Sequence, residues 1–173
     1  MPTSSSASSR GRSSSSRLSQ PKAGRQPDSG YAVPLLTVVA VAAAAPFLAR
    51  LDLQRLQRCL EPAPRSARVP SADPGHVVEA LGRRIDQVIH WGKPFVRPGC
   101  LTRGITGYYL LRRAGLDVAL CFGMGPVRGS GVAGHCWLVL DGEPVLEAAD
   151  PRPAFIEMVR LSSRGLTSAS SAP

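Results

Sequence analysis

Cys100 follows Pro98-Gly99 and opens the run CLTRGITGYYLLRRAG, which reads as a helix with the thiol on its first residue. A cysteine so placed has its pKa lowered by the unpaired N–H groups of the helix start, and a nearby imidazolium lowers it further. The other cysteines lack that position. Cys121 and Cys136 fall in the middle of apolar, strand-like runs, where buried inert thiols are the rule, and Cys59 lies on a basic helix. A base and a carboxylate stand downstream in GHCWLVLDGEPVLE, as His135 and Glu147. Singly, each of these residues reads as an ordinary structural one. Together, in the order Cys, His, Glu, they make the nucleophile, base and orienter of acyl chemistry through a thioester.

Whether His135 and Glu147 can meet depends on hairpin register. If Asp141-Gly142 is a two-residue turn, Cys136 faces Glu147 and His135 lies on the other side of the sheet. If the loop is Leu140-Asp141-Gly142, with Gly142 left-handed, Val139 faces Glu143 and His135 sits across from Glu147. Cross-strand Cβ atoms about 4.5–5.5 Å apart would then let the carboxylate reach the imidazole. Both registers are open to the sequence. The chemistry needs base, orienter and nucleophile on one side. The expectation is therefore the three-residue loop, with both side chains on the sheet face that meets the Cys100 helix. Asp150 is the rival orienter, three residues further on and of opposite parity.

The elements that must position these groups follow from local signals. Asp73 with Pro74 marks a helix start, and Val77, Leu81, Ile85, Val88 and Ile89 recur at helical spacing up to Trp91. In the Cys100 helix, Arg112 and Arg113 occupy the last turn and Gly115 ends it. Its internal Gly104 and Gly107 each cost about 1 kcal/mol relative to Ala, which close approach of another backbone, the sheet's, would offset. DVALCFGM, HCWLVL, PVLEA and FIEMVRL read as strands. GMGPVRGSGVAG, residues 123–134, reads as a mobile Gly-rich flap; it lacks the Lys-Ser/Thr of a phosphate-binding loop.

Upstream, residues 1–30 are Ser-rich with scattered Arg and read as a disordered tail. Residues 31–62 form an apolar and then a basic amphipathic helical segment, 63–72 a linker, 73–161 the enzyme domain and 162–173 a loose polar tail. The uncharged stretch Ala32 to Ala49 is eighteen residues long, at the lower limit for spanning a bilayer. Its seven alanines, Pro46 and the basic residues on both flanks favour a packed or surface-lying helix. Leu53, Leu56 and Leu60 then form one stripe, as on an interfacial, partner-facing or domain-lying helix.

Charge narrows the function classes. The formal net charge is +9, but ten Lys/Arg against three Asp/Glu precede Asp73, and ten against nine lie from Asp73 to Leu161. With 5% aromatics and no basic patch interleaved with them, nucleic acid is not an expected partner. The four cysteines have no CxxC spacing and no secretory signal precedes them, so free thiols in a reduced, cytoplasmic setting are expected, with membrane association through residues 32–60 left open. Zinc is a weak reading, since adjacent His135 and Cys136 point to opposite faces of a strand.

The segment FVRPGCLTRGITGYYLLRRAGLDVALCFGM, followed by GHCWLVLDGEPVLE, resembles the C-terminal domain of the lasso-peptide B proteins, which are transglutaminase-like cysteine peptidases. The likeness covers Asp73 to Leu161. It rests on the helix-start cysteine, the Leu-rich basic-ended helix, the His-x-Trp strand, the Asp-Gly turn and the acid twelve residues after the histidine. The resemblance implies an α+β, transglutaminase/papain-like fold: a nucleophile-bearing helix on a small antiparallel sheet, here with extra N-terminal helices. It also implies removal of the leader from a ribosomally made precursor peptide before a synthetase-like partner closes a macrolactam. Cys100 matches the nucleophile and His135 the base. Glu147 stands where the family usually has Asp, a departure at the third position. Residues 1–72 do not read as the leader-recognition domain of fused members, so the split form with a separate small recognition protein is implied. No cofactor is evident, and nucleotide dependence is open. An acyl transferase would use the same residues. A non-catalytic or membrane-associated peptide-binding partner that keeps the fold is the reading from another class.

Overall fold

In a computed structural model the chain runs α1 (Leu35–Leu48), α2 (Leu53–Leu60), α3 (Pro74–Trp91), α4 (Cys100–Arg113), β1 (Val118–Pro126), β2 (Val132–Leu140), β3 (Glu143–Val145), β4 (Ile156–Ser162) and β5 (Gly165–Ser168). The structure describes residues 33–61, 73–93, 95–126 and 131–168. The expected tail at 1–30, the linker at 63–72 and the tip of the Gly-rich flap lie outside the described residues. Among the described residues, four helices gather on one face of a five-stranded antiparallel sheet of order β3-β2-β1-β4-β5. The fold is α+β.

The helices begin where the local chemistry asks. Asp73 accepts from the His76 amide at 3.3 Å with Pro74 at the first position of α3, and Asp52 caps α2 through the Arg55 amide at 2.9 Å. α1 carries no charge, and its Val38, Ala42 and Ala45 are fully buried among the helices. Their small side chains let α1 lie close against α3 and α4. Leu56 and Leu60 of α2 are likewise buried, so the amphipathic stripe packs on the domain itself. Among the described residues no helix is long and apolar enough to cross a membrane.

α4 lies on the sheet along its glycines. A Cβ on Gly104 would stand 3.0 Å from Cys136 Sγ and 3.1 Å from Leu120 Cδ1, and one on Gly107 would stand 2.6 Å from Leu138 Cδ1. The close approach is therefore to inward side chains of β1 and β2, where the sequence reading expected backbone. Those side chains alternate with a smaller cluster on the outer face, built from Ala119, Cys121, Trp137 and Val139 with Phe155 packed against it.

Three expectations need correction. Most of the Gly-rich flap is ladder, because β1 and β2 stay paired from Val118↔Leu140 out to Pro126↔Val132. The glycines there admit neighbours: a Cβ on Gly123 would stand 2.7 Å from the Trp137 ring and 2.8 Å from the Ile156 carbonyl. The loose C-terminal tail is partly strand, since Gly165–Ser168 pair with β4 as the edge strand β5 across a turn with Gly165 at φ 109°. The third concerns the register around Asp141.

β2 and β3 pair as Leu140↔Glu143, Val139↔Pro144 and Leu138↔Val145. The connection is thus the two-residue turn Asp141-Gly142, both at positive φ (51° and 88°), and not the three-residue loop expected. Pro144 falls on the sheet's edge strand, where its missing N–H leaves no ladder bond unmade. β3 then stops after three residues, because Leu146 turns to φ 62° and leaves the ladder.

Candidate active site

β3 ends opposite Leu138, so from Cys136 outward one side of β2 has no strand beside it. The start of α4 meets β2 there. Amides in an antiparallel ladder alternate in direction, and that of Cys136 points, like those of Leu138 and Leu140, to the side β3 has vacated. It donates to the Cys100 sulfur. The Cys136 side chain turns the other way, into the core against Gly104, and its thiol is also beside Cys100.

His135 reaches the same sulfur from the other side. By alternation it belongs with Trp137 on the outer face, and the two rings stack 6.0 Å apart at 17°. Phe155 lies on the same imidazole at 4.9 Å. The expectation that His135 lies on the face meeting α4 is therefore corrected. His135 and Cys100 come together around the open edge of β2, which brings its two faces within reach of one atom.

The His135–Glu147 contact forms although the register expected for it is absent. Had the ladder continued in the observed register, Glu147 would have faced Cys136. Leu146 in the left-handed region breaks the alternation, and Glu147 returns so that its Oε2 lies 3.1 Å from His135 Nε2. Both side chains are about four-fifths buried, at 21% and 20% exposure, so water competes weakly for that hydrogen bond. A carboxylate accepts from Nε2–H, which leaves Nδ1 to share a proton with sulfur. Asp150 is elsewhere. It is exposed and takes Arg152 Nε at 2.9 Å, while the same guanidinium holds Glu143 at 2.9 Å and the Gly142 carbonyl at 3.2 Å. The rival acid thus ties the chain after β3 back onto the β2–β3 turn.

The electrostatics separate the thiols. Hydrogen bonding from the Cys136 thiol and amide, with His135 adding a hydrogen bond and its charge, outweighs partial burial and lowers Cys100 to about 5. Cys136 is pushed far up, first by that same hydrogen bond to Cys100 and then by burial. One proton is held between two sulfurs, and it stays on Cys136. Cys100 is the one that ionises, since it is half-buried at a helix start beside an imidazole, whereas Cys136 is 3% exposed. Burial pushes Cys121 up to about 12, which leaves it inert, and Cys59 is exposed on α2.

Two contributors escaped the sequence reading. Cys136 reads from sequence as a buried inert thiol; its parity with Leu138 and Leu140 was the available signal, because α4 packs on the face those residues share. Phe155 reads from sequence as the first residue of a strand; it instead closes a local turn in which the Ala154 and Phe155 amides donate to the Pro151 carbonyl, and nothing in composition places that turn over His135. Among the described residues no group of three or more His, Cys, Asp and Glu side chains could hold a metal ion.

A helix-start thiolate, a strand imidazole and a carboxylate just beyond a hairpin can be compared with known proteins. The family description that matches, over residues 37–160, is that of the transglutaminase-like superfamily. The chain belongs to that superfamily. No curated protein and no solved structure matched it. Membership in the transglutaminase-like superfamily points to cysteine peptidase or acyltransferase-type chemistry, in keeping with the thiol and imidazole described above. The matched region begins inside α1, so both N-terminal helices fall within the transglutaminase-like domain, whose start the sequence reading put at Asp73. Packing agrees, for α1 supplies fully buried residues to the core that carries α4.

Proposed function

We propose that the protein is a cysteine peptidase that removes the leader from a ribosomally synthesised precursor peptide, through a thioester on Cys100. The observation that carries this reading is the Cys100 sulfur at the start of α4, touched by an imidazole that Glu147 holds from behind at 3.1 Å. The thiolate attacks the scissile carbonyl. N–H groups at the helix start, that of Cys100 included, are free of helical partners and receive the developing oxyanion. His135 gives its proton to the leaving amine and then takes one from the water that hydrolyses the thioester. The choice of a leader as substrate is supported by the likeness of the Cys100 and His135 segments to the lasso-peptide B proteins. On that reading, a small recognition protein presents the leader and a macrolactam-forming synthetase consumes the core.

The test uses the purified chain, a lasso-type precursor peptide and a small leader-recognition protein, with products read by mass spectrometry. Leader and core should appear, with an acyl adduct on Cys100 when the reaction is quenched in acid. A Cys100→Ala variant that still cleaves the precursor sinks the assignment. Added glycinamide appearing on the leader's new C-terminus would identify acyl transfer by the same residues.

A further inference from the structure

The sheet face that carries α4 continues past the start of that helix, and there nothing among the described residues covers it. The ladders define its rows. Phe122, Cys136 and Val159 lie side by side, with Cys136 against the start of α4 at Cys100 and Gly104. The next row outward is Met124 between Gly134 and Ile156, and beyond it Pro126 pairs with Val132. Met124 is 48% exposed, Val132 65% and Ile156 75%. These rows carry no charged side chain. Gly134 leaves the β2 edge of this row low, for a Cβ there would meet only the Gly123 carbonyl, at 4.0 Å. The result is an apolar floor that begins one row from the Cys136 thiol and hence from the Cys100 sulfur.

We propose that this floor receives the acyl-side segment of the peptide substrate, and that Met124 and Ile156 select apolar side chains in the two residues before the scissile carbonyl. The proposal rests on the nucleophilic role given to Cys100. The orientation follows from where the proton must go. His135, which protonates the leaving amine, stands on the outer face, so the leaving segment departs on that side. The acyl segment, still bonded through the attacked carbonyl, then extends away from His135, over the face that α4 leaves bare. An extended chain there would put apolar side chains on Met124 and Ile156, whose burial supplies both affinity and selection.

The experiment compares rates of covalent labelling at Cys100, read by intact mass, for three acetyl-dipeptidyl chloromethyl ketones (Leu-Leu, Gly-Gly and Asp-Asp), each divided by the rate with iodoacetamide. Intrinsic reagent reactivity cancels when the same ratios are compared between wild type and variants. The wild type should favour the dileucyl over the diaspartyl reagent by roughly 10- to 100-fold. Met124→Glu and Ile156→Glu should each erase most of that preference, and Ile156→Lys should turn it toward the diaspartyl reagent. Leu36→Glu, an exposed apolar position on α1, should keep it. Equal ratios for the three reagents in wild type, or a preference unchanged in all the floor variants, overturns the proposal while leaving the activated thiol intact. A Cys100 that iodoacetamide labels with the pH profile of an ordinary thiol overturns the nucleophile reading and the floor proposal together.

Discussion

An ionised thiol and an ordinary one differ first in the pH at which they react. With Cys100 lowered to about 5, its alkylation by iodoacetamide should stay level from pH 9 down to pH 6 and fall away only through pH 5. A free thiol loses most of its rate below about pH 8.5. The sign follows from which form is nucleophilic: a lowered pKa extends the reactive range toward acid. Cys136 is the first cause of that lowering, so Cys136→Ala should move the midpoint upward, and Cys136→Ser, which keeps a donor, should restore part of the shift. Glu147→Gln leaves the side chain's length but removes the charge that orients Nε2–H. The cleavage rate constant should drop by roughly 10³–10⁴-fold, with iodoacetamide still alkylating Cys100, since the analogous amide substitution costs about 10⁴-fold in the serine triad. Stopped-flow or quenched-flow product formation would measure it. The longer Glu is suited to this backbone, because the carboxylate approaches from a segment that has already left the ladder.

At the scale of the element, the segment after β3 does what regular pairing would not. The sequence reading joined His135 to Glu147 by shifting the register one residue; the chain keeps the two-residue turn and turns at Leu146. Helix starts were legible because a cap is a local event, one carboxylate and one amide three residues apart. The parity break was not, because a leucine at φ 62° gives no sign of itself in composition and is held there by tertiary contact. That contact is visible: Leu146 sits in the space that Gly82 of α3 leaves free. Gly82→Ala should favour the helix by about 1 kcal/mol in isolation. Here it should displace Leu146, and with it Glu147, lowering the cleavage rate by more than the change in stability accounts for. Comparing kcat with urea-unfolding midpoints would separate the two. By contrast, Gly107→Ala drives a methyl toward buried Leu138 and should cost about 1–3 kcal/mol of stability.

For the whole molecule, the question is where the domain begins. Composition placed the boundary in the Pro- and Ser-rich stretch before Asp73, since a linker reads clearly and an apolar helix upstream of it reads as an appendage. The packing runs across that boundary. Val38, Ala42 and Ala45 are fully buried, and Arg84 of α3 donates to the Val33 carbonyl at 2.8 Å. A chain starting at residue 73 would expose the α3 and α4 surfaces that α1 covers, at about 1.5–3 kcal/mol for each large apolar side chain uncovered, against a total stability of about 5–15 kcal/mol. Such a truncation should show no cooperative thermal transition by circular dichroism, whereas a chain starting at residue 31 should melt as one unit. The α+β class, the Cys100 helix and its packing on the sheet were legible in the sequence. The contribution of α1 was not, because its all-round apolar character fits several environments equally well.

The brevity of β3 has a thermal consequence. Three residues at a sheet edge open more readily than the long β1–β2 ladder beside them. Such an opening frees Leu146 and Glu147 while the Cys136 amide stays on the Cys100 sulfur. Heating should then silence the enzyme reversibly some degrees below its melting temperature. In hydrogen exchange the amide of Val145 should become labelled well before that of Leu120, and the temperature at which Val145 loses protection should track the loss of turnover.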